Sequence, residues 1–168
     1  PIFRLGFVEA LARMGAKATR QESNRLGGEP VGLIKIVGGA PKPVTIEPAL
    51  VPSLIDELPV LAAAGALAGG LSVTGAEELR VKESDRISAL ALGFRQLGVR
   101  LTERPDGFEV PGGQRPAGGE VDAHLDHRLV MAFSVLALSA TGPTKITGAD
   151  AVAVSYPAFH ADLLALSR

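Results

Sequence analysis

Residues 54 to 75 read LIDELPVLAAAGALAGGLSVTG, and residues 124 to 148 read HLDHRLVMAFSVLALSATGPTKITG. Laid over one another, the two segments place Asp56 on Asp126. Each then runs from an aspartate through an apolar helix and a glycine-containing turn to a short strand closing on Thr-Gly. A fixed-spacing repeat of this kind means that one supersecondary unit is used twice. A second pair, LARMGAKAT (11 to 19) and FRQLGVRLT (94 to 102), puts a glycine at a helix C-terminus with a strand behind it. Together they give the recurring order helix, two or three strands, helix, strand.

The periodicity predicts helices near 3 to 15, 57 to 68, 83 to 97, 127 to 139 and 157 to 167. Strands are expected near 16 to 22, 31 to 37, 44 to 48, 71 to 74, 99 to 103, 107 to 110, 120 to 123 and 144 to 147. The helices at 57 to 68 and 127 to 139 are apolar nearly all round and should be enclosed by other elements. The helix at 83 to 97 is amphipathic, with Ile87, Leu90, Phe94 and Leu97 on one stripe. The expectation is a single α/β domain over 1 to 168, with repeats near 3 to 75 and 76 to 148 and a partial third unit over 149 to 168.

At 168 residues, 46% hydrophobic and of mean hydropathy +0.26, the chain can bury a full core. Seventeen basic against eighteen acidic residues leave a net charge of −1. No global basic field therefore exists to hold a nucleic acid or an anionic membrane. The absence of cysteine removes disulfides, thiolate metal sites and cysteine nucleophiles, and fits a reducing cytoplasm. His124 and His127 have no third ligand at metal spacing, so no metal site is expected. No apolar run reaches the length of a membrane-spanning helix, and PIFRLGF carries no signal-peptide pattern. That start reads as the interior of a longer chain.

Charge gathers at three helix starts: Asp56-Glu57, Lys82 to Arg86, and Asp126-His127-Arg128. Asp56 and Asp126 read as N-caps. Lys82, Arg86 and Arg128 oppose the helix dipole, each by about 0.3 to 1 kcal/mol. An anionic ligand at those helix starts would remove the conflict. On a helix running through 83 to 97, Lys82 and Arg86 share a face at i,i+4, and Glu83 extends the inward stripe. A carboxylate placed there beside cations is a candidate proton carrier, against the plainer reading of a Glu83–Arg86 surface ion pair.

These stretches, LRVKESDRISAL above all, closely resemble the 5-enolpyruvylshikimate-3-phosphate synthase family, and the likeness runs from about Phe3 to the end. The resemblance implies the inside-out α/β barrel fold of the two-domain enolpyruvyl transferases, built from βαβαββ units around a cleft. It implies transfer of the enolpyruvyl group of phosphoenolpyruvate to the 5-hydroxyl of shikimate 3-phosphate, without metal or organic cofactor. Carried over by position, Asp56 holds the shikimate hydroxyls and acts as base, and Glu83 protonates the enolpyruvyl methylene. Lys82 lies at the shikimate and phosphate side, and Arg86 and Arg128 grip the phosphoenolpyruvate carboxylate. The implied whole protein is cytoplasmic and monomeric, with no nucleic acid or membrane partner.

The sequence departs from the family in places. Val154 stands where some members have a phosphate-contacting lysine, and Glu78 stands where some have an asparagine. The Lys-Ser-x-x-x-Arg segment of the family's N-terminal part has no counterpart. The chain thus resembles most of one domain, lacking that domain's first strand and the opposing wall of the cleft. A UDP-sugar enolpyruvyl transferase is disfavoured because that family uses a cysteine acid. A non-catalytic anion-binding or assembly domain is the reading from another class.

Overall fold

A computed structural model describes residues 6 to 166. In chain order it contains α1 (Gly6–Arg13), β1 (Lys17–Leu26), β2 (Glu29–Val37), β3 (Val44–Ile46), α2 (Leu58–Leu67), β4 (Gly70–Val73), α3 (Arg86–Gln96), β5 (Thr102–Arg104), β6 (Gly107–Pro111), β7 (Gly119–Asp122), α4 (His127–Ala137), β8 (Thr144–Thr147) and α5 (Phe159–Leu166). Short 3-10 turns at Val51–Ser53, Ile55–Glu57, Glu77–Val81 and Ala149–Val154 link them. All eight expected strands and five expected helices are present, though residues 3 to 5 and 167 of the expected terminal helices lie outside the described residues. The order α1-β1-β2-β3-α2-β4 recurs as α3-β5-β6-β7-α4-β8.

In each half a helix crosses over between two adjacent parallel strands. β3 pairs parallel with β4 through α2, and β7 pairs parallel with β8 through α4. Parallel neighbours need such a crossover, because no tight turn can join them. The sheet order β3-β4-β6-β5 then hooks the second half's hairpin, antiparallel, onto the first half's closing strand.

The all-round apolar helices are enclosed, as their composition requires. α2 and α4 pack against each other, burying Leu58, Leu61, Ala62, Ala63 and Ala66 from one, and Leu129, Val130, Ala132, Phe133 and Leu136 from the other. The α3 stripe of Ile87, Leu90, Phe94 and Leu97 is buried too, and the Phe94 and Phe133 rings meet at 6.3 Å between centroids. α3 approaches α4 this closely because Gly93 has no side chain: a Cβ there would collide with the Phe133 ring and with Val121. Gly93→Ala overpacks that contact and should lower unfolding free energy by about 1 to 3 kcal/mol, readable as a shifted urea midpoint at unchanged slope.

β1 is longer than expected, running to Leu26. Gly27 and Gly28, at φ 58° and 84°, form a two-residue turn that keeps it paired with β2 to the tip. Gly15 and Gly98 end α1 and α3 at φ 105° and 77°, the conformation their place at helix C-termini calls for.

Candidate active site

The helix expected from 83 begins at Arg86. Asp85 is its N-cap, accepting the Ser88 N–H at 3.0 Å, and a capping aspartate takes non-helical dihedrals that stop the helix there. Lys82 closes the preceding 3-10 turn in an extended conformation. Lys82 and Arg86 therefore share no helical face, and Glu83 is no part of the buried stripe, contrary to the expectation from periodicity. Glu83 meets Arg86 through the loop instead, as an ion pair with the Arg86 Nη2.

Arg86 is the centre of the arrangement. Its side chain is 1% exposed, and its Nε donates to Asp126 Oδ2 at 2.7 Å. Its Nη1 lies 3.4 Å from Asp56 Oδ1. Asp126, 0% exposed, also accepts from Ser84 Oγ at 3.1 Å and, through Oδ1, from the Arg128 N–H at 2.9 Å. It is thus both the N-cap of α4 and the counterion of the α3 arginine. The chain enters this cap through His124 and Leu125, at φ 51° and 56°. Two successive non-glycine residues in the left-handed region are strained, and such strain is found where surrounding structure fixes a site.

Asp56 does not cap α2, as its sequence position had implied. It lies in the 3-10 turn Ile55–Glu57, and α2 starts after Glu57 without a side-chain cap. Pro59 in the first turn has no N–H to offer a cap. The Asp56 carboxylate is therefore free to meet the arginines, with Oδ2 3.2 Å from Arg128 Nη2. Arg128 also donates to the Asp56 carbonyl at 3.1 Å and lies 3.5 Å from Glu57 Oε1. Lys82 pairs with Glu78.

All three candidate cations thus have carboxylate partners within the chain. The dipole conflict that pointed to a waiting anion is settled internally, and any incoming anion must share or displace Asp56, Glu83, Glu57 and Glu78. Burial alone would push the Asp126 carboxyl up. The Arg86 guanidinium, the Arg128 N–H and Ser84 outweigh it and hold that carboxyl below the usual aspartate range.

Sequence reasoning passed over Arg80, in the same charged stretch. Its Nε donates to the Pro105 carbonyl at 2.7 Å, and its Nη1 lies 2.9 Å from both Asp85 and Glu103. It fastens the Lys82 to Asp85 loop to the β5–β6 hairpin. Its hydrogen bond with Glu103 heads the interactions that raise its pKa above the ordinary arginine value against the effect of burial. Asp85 is only five residues on, but the partners that tie this arginine to the hairpin, Glu103 and the Pro105 carbonyl, lie more than twenty residues away, where no local signal reaches. Val154 closes the last 3-10 turn with its side chain exposed.

Arg86 Nη1 and Arg128 Nη2 both meet the Asp56 carboxylate, so the two arginine forks converge on one planar anionic group. A profile of EPSP synthase (3-phosphoshikimate 1-carboxyvinyltransferase) matches residues 3 to 163. The chain is 47% identical over 166 residues to a 3-phosphoshikimate 1-carboxyvinyltransferase of Carboxydothermus hydrogenoformans, covering 98% of this chain and 39% of that protein. An Acaryochloris marina protein of the same name is 45% identical over 161 residues, covering 95% and 36%. A solved EPSP synthase structure from Acinetobacter baumannii superposes with a TM-score of 0.91 at 39% identity, covering 99% of this chain and 39% of that one. The chain spans roughly two fifths of the length of these relatives, and within that span it belongs to the EPSP synthase family.

Proposed function

We propose that the chain supplies one wall of a 3-phosphoshikimate 1-carboxyvinyltransferase active site. The reaction transfers the enolpyruvyl group of phosphoenolpyruvate to the 5-hydroxyl of shikimate 3-phosphate and releases phosphate. The observation that carries this reading is Arg86 touching both Asp56 and Glu83, the two carboxylates suited to the two proton transfers. In the first step the 5-hydroxyl loses its proton to Asp56 as its oxygen attacks the substituted carbon of phosphoenolpyruvate, and Glu83 delivers a proton to the methylene carbon. In the second, the resulting methyl loses a proton, the C–O bond to phosphate breaks and the enol ether re-forms.

Arg86 and Arg128 offer forks to the phosphoenolpyruvate carboxylate, and Lys82 offers a point charge to the phosphate side. No step calls for a metal or organic cofactor. Among the described residues no helix is long and apolar enough to cross a membrane. The whole protein in this reading is a cytoplasmic monomer whose partner surface is its own second domain. The test is phosphate release from phosphoenolpyruvate with shikimate 3-phosphate present, measured on the 168-residue chain and on a protein that carries it together with the remaining domain. Turnover in the second alone supports the reading. No turnover in a folded whole protein sinks it and favours a non-catalytic anion-binding role.

Calorimetry on the 168-residue chain should show phosphoenolpyruvate binding no tighter than about 1 mM. Each charge-assisted hydrogen bond lost with the opposing wall is worth about 1.5 to 3 kcal/mol, and the internal ion pairs must also be displaced. Micromolar binding would show that this wall alone is the anion receptor.

A further inference from the structure

The segment that carries Lys82 and Glu83 has no grip of its own on the core. Leu79 and Ile87, on either side of it, are 1% and 0% exposed, but none of residues 81 to 85 is buried, and Val81 is 79% exposed. Packing does not fix this segment, so polar ties have to.

Those ties run to the β5–β6 hairpin. The Gly75 N–H donates to Asp106 Oδ2 at 2.9 Å, and the Ala76 N–H donates to the Asp106 carbonyl at 2.7 Å. Arg80 extends the same seam along the hairpin, with Nε on the Pro105 carbonyl, Nη2 on the Arg104 carbonyl and Nη1 on Glu103. The same Nη1 also reaches both oxygens of Asp85, at 3.2 and 2.9 Å. Residues 80 and 85 are thereby joined, and Lys82, Glu83 and Ser84 lie on the loop between them. Asp85 is fixed in turn as the cap of α3, and Ser88 Oγ, in the first turn of that helix, lies 2.7 Å from Glu103 Oε1.

We propose that Arg80 is a positioning residue for enolpyruvyl transfer. By closing the neck of the 80 to 85 loop against the hairpin, it holds the Glu83 carboxylate where a proton can pass to the methylene carbon. Arg80 spends its donors on two carbonyls and two carboxylates of this chain, so it acts through Glu83 and not on a substrate. The planar fork suits the task, since one guanidinium can serve acceptors on several sides at once, which a lysine ammonium on its flexible stem does less well. Rate is sensitive to such placement: a shift of about 1 Å in a reacting group can cost about 10²-fold. This role rests on Glu83 being the proton carrier of the proposed function.

The test is a cycle of Arg80→Met and Glu83→Gln in a protein joining this chain to its remaining domain. Arg80→Met alone should lower kcat by about 10- to 100-fold. The KM for phosphoenolpyruvate should move by less than about threefold, because Arg86 and Arg128 are held by Asp126 and Asp56, outside the loop. On the Glu83→Gln background, Arg80→Met should cost less than about threefold in kcat. The Ser88 amide, bonded to Asp85, should exchange about tenfold faster or more in Arg80→Met, with α2 and α4 amides unchanged as the control of folding.

An equal loss of kcat on both backgrounds overturns the proposal, and so does an unchanged Ser88 exchange rate. Parent turnover in Glu83→Gln is a different failure: it removes the proton carrier itself, and with it any role for Arg80 through that residue. If Arg80→Met does not fold, Glu103→Gln loosens the same neck from a side chain that is 39% exposed. It then replaces Arg80→Met in the cycle, with a kcat loss of about threefold or more expected on the parent and none on the Glu83→Gln background.

Discussion

Asp126→Ala is expected to lower the unfolding free energy of the chain by about 3 to 5 kcal/mol, because it takes from the buried Arg86 guanidinium its fully buried counterion and leaves only the more exposed Asp56 and Glu83 beside it. For a domain of this size that corresponds to roughly 6 to 20 °C in melting temperature. It is a large share of the about 5 to 15 kcal/mol a domain has in total. The same carboxylate caps α4, so about 1 kcal/mol of the loss belongs to the missing cap.

A double variant separates the two contributions. Asp126→Ala combined with Arg86→Met removes both charges, and should recover most of the loss except the cap. If the double variant is as unstable as the single one, the ion pair is not the source. The pH dependence has a definite sign. The folded-state pKa of Asp126 lies below the unfolded value, near 3.8. Its contribution is therefore complete above that value and fades as the pH falls through the lower folded one. The Asp126→Ala chain should lose less stability on acidification than the parent, which parallel melts between pH 6 and pH 2 will read.

The second large effect concerns chemistry. In a protein joining this chain to its remaining domain, Glu83→Gln should reduce kcat by about 10² to 10⁴, the range associated with loss of a positioned proton donor or acceptor. The Glu83 side chain is 53% exposed, so the melting temperature should move little. Asp56→Asn should show a comparable loss if it is the base. The two can be told apart by pH, since loss of the acid flattens the alkaline limb of the rate profile and loss of the base flattens the acidic limb. A Glu83→Gln protein with at least half the parent turnover would remove Glu83 from the proton path.

The fold was readable where a single physical demand sets the pattern. The enclosure of α2 and α4 follows from helices apolar on every side, and the duplication follows from Asp56 and Asp126 each standing before such a helix. The β1–β2 hairpin was harder to read. Its ten-residue first strand has few apolar residues, and the Gly27-Gly28 turn was the available signal for its length.

At the site, residue types could be picked out and partners could not. Asp126 was seen as a cap, correctly, but nothing near it in the chain announces that its second oxygen holds an arginine forty residues earlier. The same long reach hid Arg80. The start of α3 was misplaced by three residues, because an apolar stripe can be extrapolated past a capping aspartate that in fact ends it.

The Arg86–Asp126 pair also bears on how variation in this family is scored. A selection that reads growth or turnover alone will discard changes at Arg86, Asp126 and Glu83 alike, and will rank the three as equals. Changes at Asp126 fail such a screen through lost stability, the exposed glutamate through a lost proton transfer, and Arg86 through both, since the same guanidinium holds Asp126 and meets Glu83. Paired with a measure of how much folded protein accumulates, the same screen would separate Asp126 from Glu83, and place Arg86 between them.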